Sequence, residues 1–275
     1  TKRDEVNDSY SGWKRVFNAE IKLNNVMPRK VISSTLQQFG AGVLMSATLA
    51  PLDVYREVIG LDYVSEIQQR VVENSVYTAD FPTDNRLSIS LDLPKYTREN
   101  RGEITANTET RQQYAQAIRL VAKTTPGNVL VCMPSYKEGR WAASLLDKSE
   151  DVNKEVLLDE SSSEEKTKRL KQYFIDGDSK VLVTSLRGTL TEGVDYDGDK
   201  LLGCIVCGVP IENIGSPRTK AVRTAYEQKF GGVGFHYGLT VPAVRKTRQA
   251  LGRVIRGTDD VGVRVVADRR YTGSG

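Results

Sequence analysis

The chain has 275 residues, 39% of them hydrophobic and 27% charged, with a formal net charge of +4. That length and balance suit one large or two smaller globular units and exclude a disordered or fibrous chain. No apolar run approaches the roughly 20 residues that span a bilayer and no signal peptide opens the chain, so a soluble, intracellular protein is expected, whose mild charge permits a nucleic-acid partner only through local clustering.

The sequence opens on Thr1 rather than Met and closes on Tyr271-Thr-Gly-Ser-Gly, which reads as a piece of something longer. Up to about Gly40 it is mixed and polar, with a candidate strand at residues 19–23 and a short helix near residues 34–39. Gly42-Val-Leu-Met-Ser46-Ala47-Thr48-Leu49-Ala-Pro51 follows, an apolar strand that runs into small hydroxyl residues; Pro51 then suits the first turn of a helix to Ile59. Arg86-Leu-Ser-Ile-Ser-Leu-Asp-Leu93 alternates polar and apolar, as a half-buried or edge strand does.

From Asn107 the rhythm is regular. Tyr114, Ala117, Ile118 and Val121 recur at helical spacing up to Thr125-Pro126-Gly127, where the helix must end. Apolar runs at 129–133, 156–158, 181–184, 201–209 and 261–267 alternate with helical stretches, including 141–146 and 163–175. Strands that are apolar throughout imply a parallel sheet covered on both faces. The expected fold is therefore an open α/β layer from about residue 107 onward, with functional groups at the carboxyl ends of its strands.

Two pairings suggest metals and fail on context. Cys204-x-x-Cys207 lies inside an apolar run, and with three cysteines and one histidine in the chain no second pair exists to complete four ligands. His236 cannot anchor a metal site or a catalytic triad by itself. Val156-Leu-Leu-Asp159-Glu160 imitates the strand that holds magnesium in P-loop ATPases, yet no G-x-x-x-x-G-K-[ST] is present, so it reads as a strand ending in a polar turn. Gly231-Gly-Val-Gly-Phe-His-Tyr-Gly238 has the wrong spacing for a dinucleotide fingerprint and reads as a flexible loop.

The strongest chemical signal is the basic segment from Pro242 to Gly257. On a continuous helix Arg245, Gln249, Arg253 and Arg256 fall within roughly 80° of one another at 100° per residue, with Val244, Leu251, Val254 and Ile255 opposite. A row of guanidinium groups presents planar donor forks that suit phosphate oxygens, although a solvated face has the same composition. At the strand ends, Pro134-Ser135-Tyr136-Lys137 and Ser185-Leu-Arg187-Gly188 offer hydroxyls, backbone N–H groups and cations of the kind that hold phosphates. Arg187-Gly188-Thr-Leu-Thr-Glu192-Gly193-Val194-Asp195 reads as a tight loop whose backbone nears a ligand, with Asp195 able to accept from a ribose hydroxyl; a glycine turn with surface acids is the plainer alternative.

The order Ser46-Ala47-Thr48-Leu49, Gly127 to Tyr136, Arg187-Gly188 with Glu192-Gly193-Val194-Asp195, Gly208-Val-Pro210, Gln249-x-x-Gly252-Arg253-x-x-Arg256-Gly257 and Asp268-x-Arg270 resembles the superfamily 2 DNA helicases of the XPD/DinG group. The match covers helicase motifs III to VI, from about residue 42 onward. The resemblance implies a RecA-like α/β fold, an open parallel sheet with helices on both faces. Residues 1–70 would hold the closing segment of the first motor lobe and a linker, and residues 71–275 the second lobe.

It further implies that ATP and Mg2+ bind between the lobes, mainly to the first, and that single-stranded DNA crosses both. Arg253 and Arg256 would reach the γ-phosphate, with Arg256 as arginine finger and Gln249 beside the attacking water. Glu192, Gly193, Asp195 and Gly252 would line the nucleotide. Ser135, Tyr136 and Arg187 would lie near the DNA backbone, and Ser46 and Thr48 would couple nucleotide state to DNA contact. The Walker A lysine, the Walker B acids and the iron–sulfur cysteines of many members are not in this sequence, so the chain alone is expected to be inactive and any iron–sulfur cluster would belong to the rest of the parent protein. Location would be cytoplasmic and nucleoid-associated in a prokaryote, or nuclear in a eukaryote. A non-catalytic nucleic-acid-binding or interaction module on the same fold is the rival reading; a P-loop kinase or transferase is more distant.

Overall fold

A computed structural model describes residues 23–78, 81–160, 163–188, 190, 196 and 198–273. Its strands are β1 Arg86–Leu91, β2 Val129–Met133, β3 Glu155–Leu158, β4 Lys180–Ser185, β5 Gly203–Cys207 and β6 Gly262–Ala267. They form one six-stranded sheet in the order β1-β6-β5-β2-β4-β3, and every pairing is parallel. Val131 at its centre lies opposite Val183 of β4 and Ile205 of β5. β2 and β5 are buried along their whole length, which explains apolar runs without alternation.

The helices are α1 Arg29–Leu36, α2 Leu52–Ile59, α3 Leu61–Gln68, α4 Arg98–Arg101, α5 Glu109–Thr124, α6 Tyr136–Asp147, α7 Glu164–Ile175, α8 Pro217–Phe230 and α9 Val241–Leu251. Thr108 caps α5 and Ser135 caps α6, each side chain accepting from a backbone N–H three residues on. One sheet face packs Val129, Val131, Ile205 and Val265 against Tyr114 and Ile118 of α5 and Leu146 of α6. The opposite face packs Leu130, Leu182, Cys204 and Val206 against Phe174 of α7 and Ala250 of α9, with Val254 and Ile255 just beyond it. Cys132, Cys204 and Cys207 are all buried in these layers, and burial pushes the Cys207 thiol up.

Four expectations change. The sheet begins before residue 107, because β1 joins β6 at the edge, where its Leu87 and Ile89 are exposed and only its end residues Arg86 and Leu91 are half-buried. The apolar run at 42–46 is no strand: Val43 and Met45 are 85% and 88% exposed, and no described strand lies beside it to take its backbone hydrogen bonds. Gly231 to Gly238 is helical, not a loop; Gly234 turns so tightly that a Cβ there would sit 2.4 Å from the Glu227 nitrogen, and Tyr226, Phe230 and Tyr237 stack along the turn. The candidate strand at residues 19–23 lies, apart from Leu23, outside the described residues.

The fourth concerns α9, which stops at Leu251 and so does not carry Arg253 and Arg256. Arg253 N donates to Ala250 O (3.2 Å) and Val254 N to Leu251 O (3.3 Å), tightening the exit, and Asp260 Oδ2 accepts from the Arg256 and Gly257 nitrogens at 2.8 Å each. Past the helix end Val254 and Ile255 are buried in the same layer as Ala250. Val244, expected to pack, is 38% exposed.

At the carboxyl edge Asp268, fully buried, accepts from Tyr96 N (2.9 Å) and from Arg270 N, Nε and Nη2 (3.0, 2.8 and 2.6 Å). At the amino edge a Cβ on Gly262 would lie 2.2 Å from Val254 Cγ1 and 3.0 Å from Leu202 O. Gly262→Ala is therefore expected to displace the 254–256 turn and to cost about 1–3 kcal/mol in urea denaturation; an unmoved midpoint would show that the turn is not held this way.

Candidate functional site

α9 runs antiparallel to the strands. Thr247 near its middle shares a 2.8 Å hydrogen bond with the Tyr271 hydroxyl, which donates to Gly208 O (3.1 Å) beyond the carboxyl end of β5. Val254, past its last turn, meets the first residue of β6. Arg253 and Arg256 thus lie at the amino edge of the sheet, not at the carboxyl ends where functional groups are expected.

A cavity of about 700 Å³ opens between α9, the uncovered face of β1 and β6, and the turn at 46–48. Ser46, Thr48, Gln249, Gly252, Arg253 and Arg256 all line it, so the two hydroxyl residues and the arginine set meet there. Gln249 Nε2 donates to Thr48 Oγ1 (3.3 Å), and Thr48 N donates to Ser46 Oγ (3.2 Å). Arg245 turns elsewhere. Its Nη2 donates to Leu49 O (2.7 Å) and its guanidinium lies 5.3 Å from the Tyr55 ring centroid. Burial lowers the Arg245 pKa and Arg248 lowers it further, against the Tyr55 hydroxyl. It ties α9 to the 49–55 segment instead of joining a row of guanidinium groups.

The lining includes five arginines, Arg86, Arg248, Arg253, Arg256 and Arg264, and no described carboxylate. Such a wall attracts anions. Arg86 and Arg264, with Ser88 and Ser90, escaped the sequence reading. The signals were an arginine inside the apolar β6 run and the polar alternation of β1. Glu192, Gly193 and Asp195 lie outside the described residues. Among the described residues no group of three or more His, Cys, Asp or Glu side chains converges on a metal position.

Ser135, Tyr136 and Arg187 gather at the carboxyl ends of β2 and β4. Ser135 Oγ accepts from Glu138 N (3.3 Å) as the α6 cap, and Arg187, exposed, donates from Nη2 to Ile211 O (2.6 Å). Beneath them the Asp159 carboxylate, 2% exposed, accepts from Thr184 Oγ1 at 2.7 Å. A Cβ on Gly188 would lie 2.9 Å from the Tyr136 hydroxyl and 3.0 Å from Asp159 Oδ2, so this turn requires glycine. Asp159, read from sequence as part of a polar turn, is instead the buried floor under Arg187 and Gly188.

Burial raises the Asp159 pKa, partly offset by the Thr184 hydrogen bond. The protonated form is favoured by the fold, so its contribution is present in acid and is lost as pH rises through the folded-state pKa. Asp159→Asn, which keeps an acceptor for Thr184, is expected to melt above the parent near about pH 7 and to converge with it near about pH 4. Equal melting temperatures at both values would refute the assignment.

Residues 118–275, more than half of the chain, match the helicase C-terminal domain family. The chain is 25% identical over 249 residues to the general transcription and DNA repair factor IIH helicase subunit XPD/RAD3 of Saccharomyces cerevisiae, covering 88% of this chain and 31% of that protein. It is 26% identical over 252 residues to the regulator of telomere elongation helicase 1 homolog of Drosophila melanogaster, covering 83% and 24%. The solved structure titled XPD helicase superposes with a TM-score of 0.59 at 20% identity, over 83% of this chain and 39% of that one, a likeness of fold. The chain thus spans about a third or less of the length of these curated relatives, and it belongs to the helicase C-terminal domain family, as an XPD-like superfamily 2 motor lobe with a RecA-like sheet.

Proposed function

We propose that this chain supplies the second motor lobe of an ATP-dependent DNA helicase that translocates on single-stranded DNA. Residues 1–70 then close the first lobe and link it to residues 71–275. The observation that carries the reading is the meeting of Thr48 and Gln249 in a cavity lined by Arg253 and Arg256. An amide and two guanidinium groups beside a motif III hydroxyl suit a γ-phosphate presented by the other lobe, with ATP and Mg2+ held mainly there. Arg256, the more exposed of the pair, is the finger; Arg253 and Gln249 orient the γ-phosphate and water, and Gly252 lets the turn approach them. Glu192, Gly193 and Asp195 complete the nucleotide side.

Phosphoryl transfer is accelerated mainly by positioning and by cations placed where charge develops. A finger on one lobe and phosphates on the other make hydrolysis depend on closure. Closure then moves Ser135, Tyr136 and Arg187, which bind the DNA backbone, relative to the first lobe's grip. An iron–sulfur cluster, where the parent protein has one, would be built from cysteines other than the buried Cys132, Cys204 and Cys207.

With the first lobe restored, Arg256→Ala is expected to lower DNA-stimulated ATP hydrolysis by about 10³-fold or more. Unchanged turnover would remove the finger. Arg187→Ala is expected to weaken single-strand binding with little sequence dependence and to reduce the salt slope by about 1; a slope equal to the parent's would take Arg187 off the DNA path.

A further inference from the structure

We propose that Arg264 and Arg86 form a second oxyanion subsite in the cavity, which takes a phosphate group of a polyphosphate chain next to the one assigned to Arg253 and Arg256. The proposal rests on the reading of the cavity as the nucleotide face. Arg264 is the only cation in the strand Gly262-Val-Arg-Val-Val-Ala267, and its register partner is Ser88. Its Nη2 donates to Ser88 Oγ at 2.7 Å, which fixes the plane of the guanidinium, while its Nε is buried with no hydrogen-bond partner among the described residues. A buried donor without an acceptor is costly, which adds to the charge penalty of this side chain.

Arg86 stands two residues before Ser88 on the same face of β1, opposite Gly262. Two cations on neighbouring strands repel each other. Burial lowers the Arg264 pKa and the Arg86 charge lowers it further, and no described carboxylate lines the cavity to relieve either. An anion of fixed geometry removes both penalties. The site adjoins the arginine turn: Asn85 Nδ2 donates to Thr258 O (3.1 Å), and Val254 lies against Gly262, the residue that faces Arg86. One phosphate presents few oxygens to guanidinium forks, whereas a chain of them offers adjacent oxyanions to both arginine pairs. The hydroxyls of Ser88 and Ser90, which also line the cavity, supply donors between them.

Calorimetric titration of the 275-residue chain with inorganic tripolyphosphate tests this, with ATP as the nucleotide arm and citrate as the carboxylate arm. The parent is expected to bind tripolyphosphate in preference to citrate, and Arg264→Met to weaken it about ten-fold or more. Arg86→Gln, on the edge strand, is expected to weaken it in the same direction and reads the site should Arg264→Met not fold. Binding that is lost in Arg256→Ala but unchanged in Arg264→Met and Arg86→Gln overturns this subsite and leaves the finger reading intact. The reverse pattern keeps the subsite, and the finger is then judged by hydrolysis with the first lobe restored. No binding of tripolyphosphate, or citrate bound as tightly, overturns the subsite outright.

Discussion

The Asp268 carboxylate is the interaction on which both layers of this lobe depend. It sits just past β6 with no exposure, and its oxygens accept from the Tyr96 backbone and from the Arg270 backbone and guanidinium. Burying a carboxylate is unfavourable unless every lone pair is used, and here a permanent cation and two backbone donors use them. The geometry this imposes reaches further: Tyr114 of α5 donates to Ala267 O (2.8 Å), and Tyr271, three residues beyond Asp268, reaches Thr247 of α9. A single turn therefore clamps a helix on each side of the sheet. Asn128 plays the matching part at the amino edge, its amide reaching Phe174 O, Gly177 O and Lys200 O while its oxygen accepts from Lys180 N.

With both edges fixed, the direction of α9 follows, and with it the placement of charge. The helix crosses the sheet antiparallel to the strands, so its exit delivers Arg253 and Arg256 to the amino edge, beside β1 and β6. Those strands are the part of that face that α9 leaves uncovered. The arginines consequently converge over a floor already carrying Arg86 and Arg264, and the excess of positive charge is a property of the whole cavity. The carboxyl edge carries the other polar set, Ser135, Tyr136 and Arg187, held over Asp159. Two polar surfaces thus lie at opposite ends of one sheet.

Much of this was legible in the sequence because parallel strands buried on both faces leave unambiguous apolar runs: β2 to β6 fall where Val129, Val156, Val181, Leu201 and Val261 announce them. What was not legible depends on long-range packing. The run at 42–46 has the composition of a strand, but composition cannot supply the neighbour that a strand needs. Periodicity extends α9 through Arg256 because Val254 and Ile255 keep a helical spacing; only the packing of Val254 against Gly262 shows that the chain has left the helix there. α8 buries only Thr219 and Tyr226 from its own length, so it offers no stripe to read. Arg264 is not legible as a site residue, since one arginine in an apolar strand resembles an edge residue and its pairing with Ser88 is long-range.

The ties between α9 and the 46–49 turn are unequal, and that inequality bears on how a ligand would be sensed. Arg245 holds Leu49 O at 2.7 Å with an aromatic ring against its guanidinium, a tie insulated by partial burial. Gln249 holds Thr48 through a neutral 3.3 Å contact at the rim of the cavity, and Ser46 beyond it is exposed. An oxyanion entering the cavity competes for the Gln249 amide and not for Arg245, since only the former donates into the lined space. Charge-assisted bonds outweigh neutral ones of that length, so occupancy favours release of Thr48 while the turn stays anchored at Leu49. The shift a ligand can impose is limited to its difference in affinity for the two arrangements, and a single weak amide contact keeps that threshold low. Of the two ties, the one at Leu49 is therefore the anchor and the one at Thr48 the contact that an anion can displace.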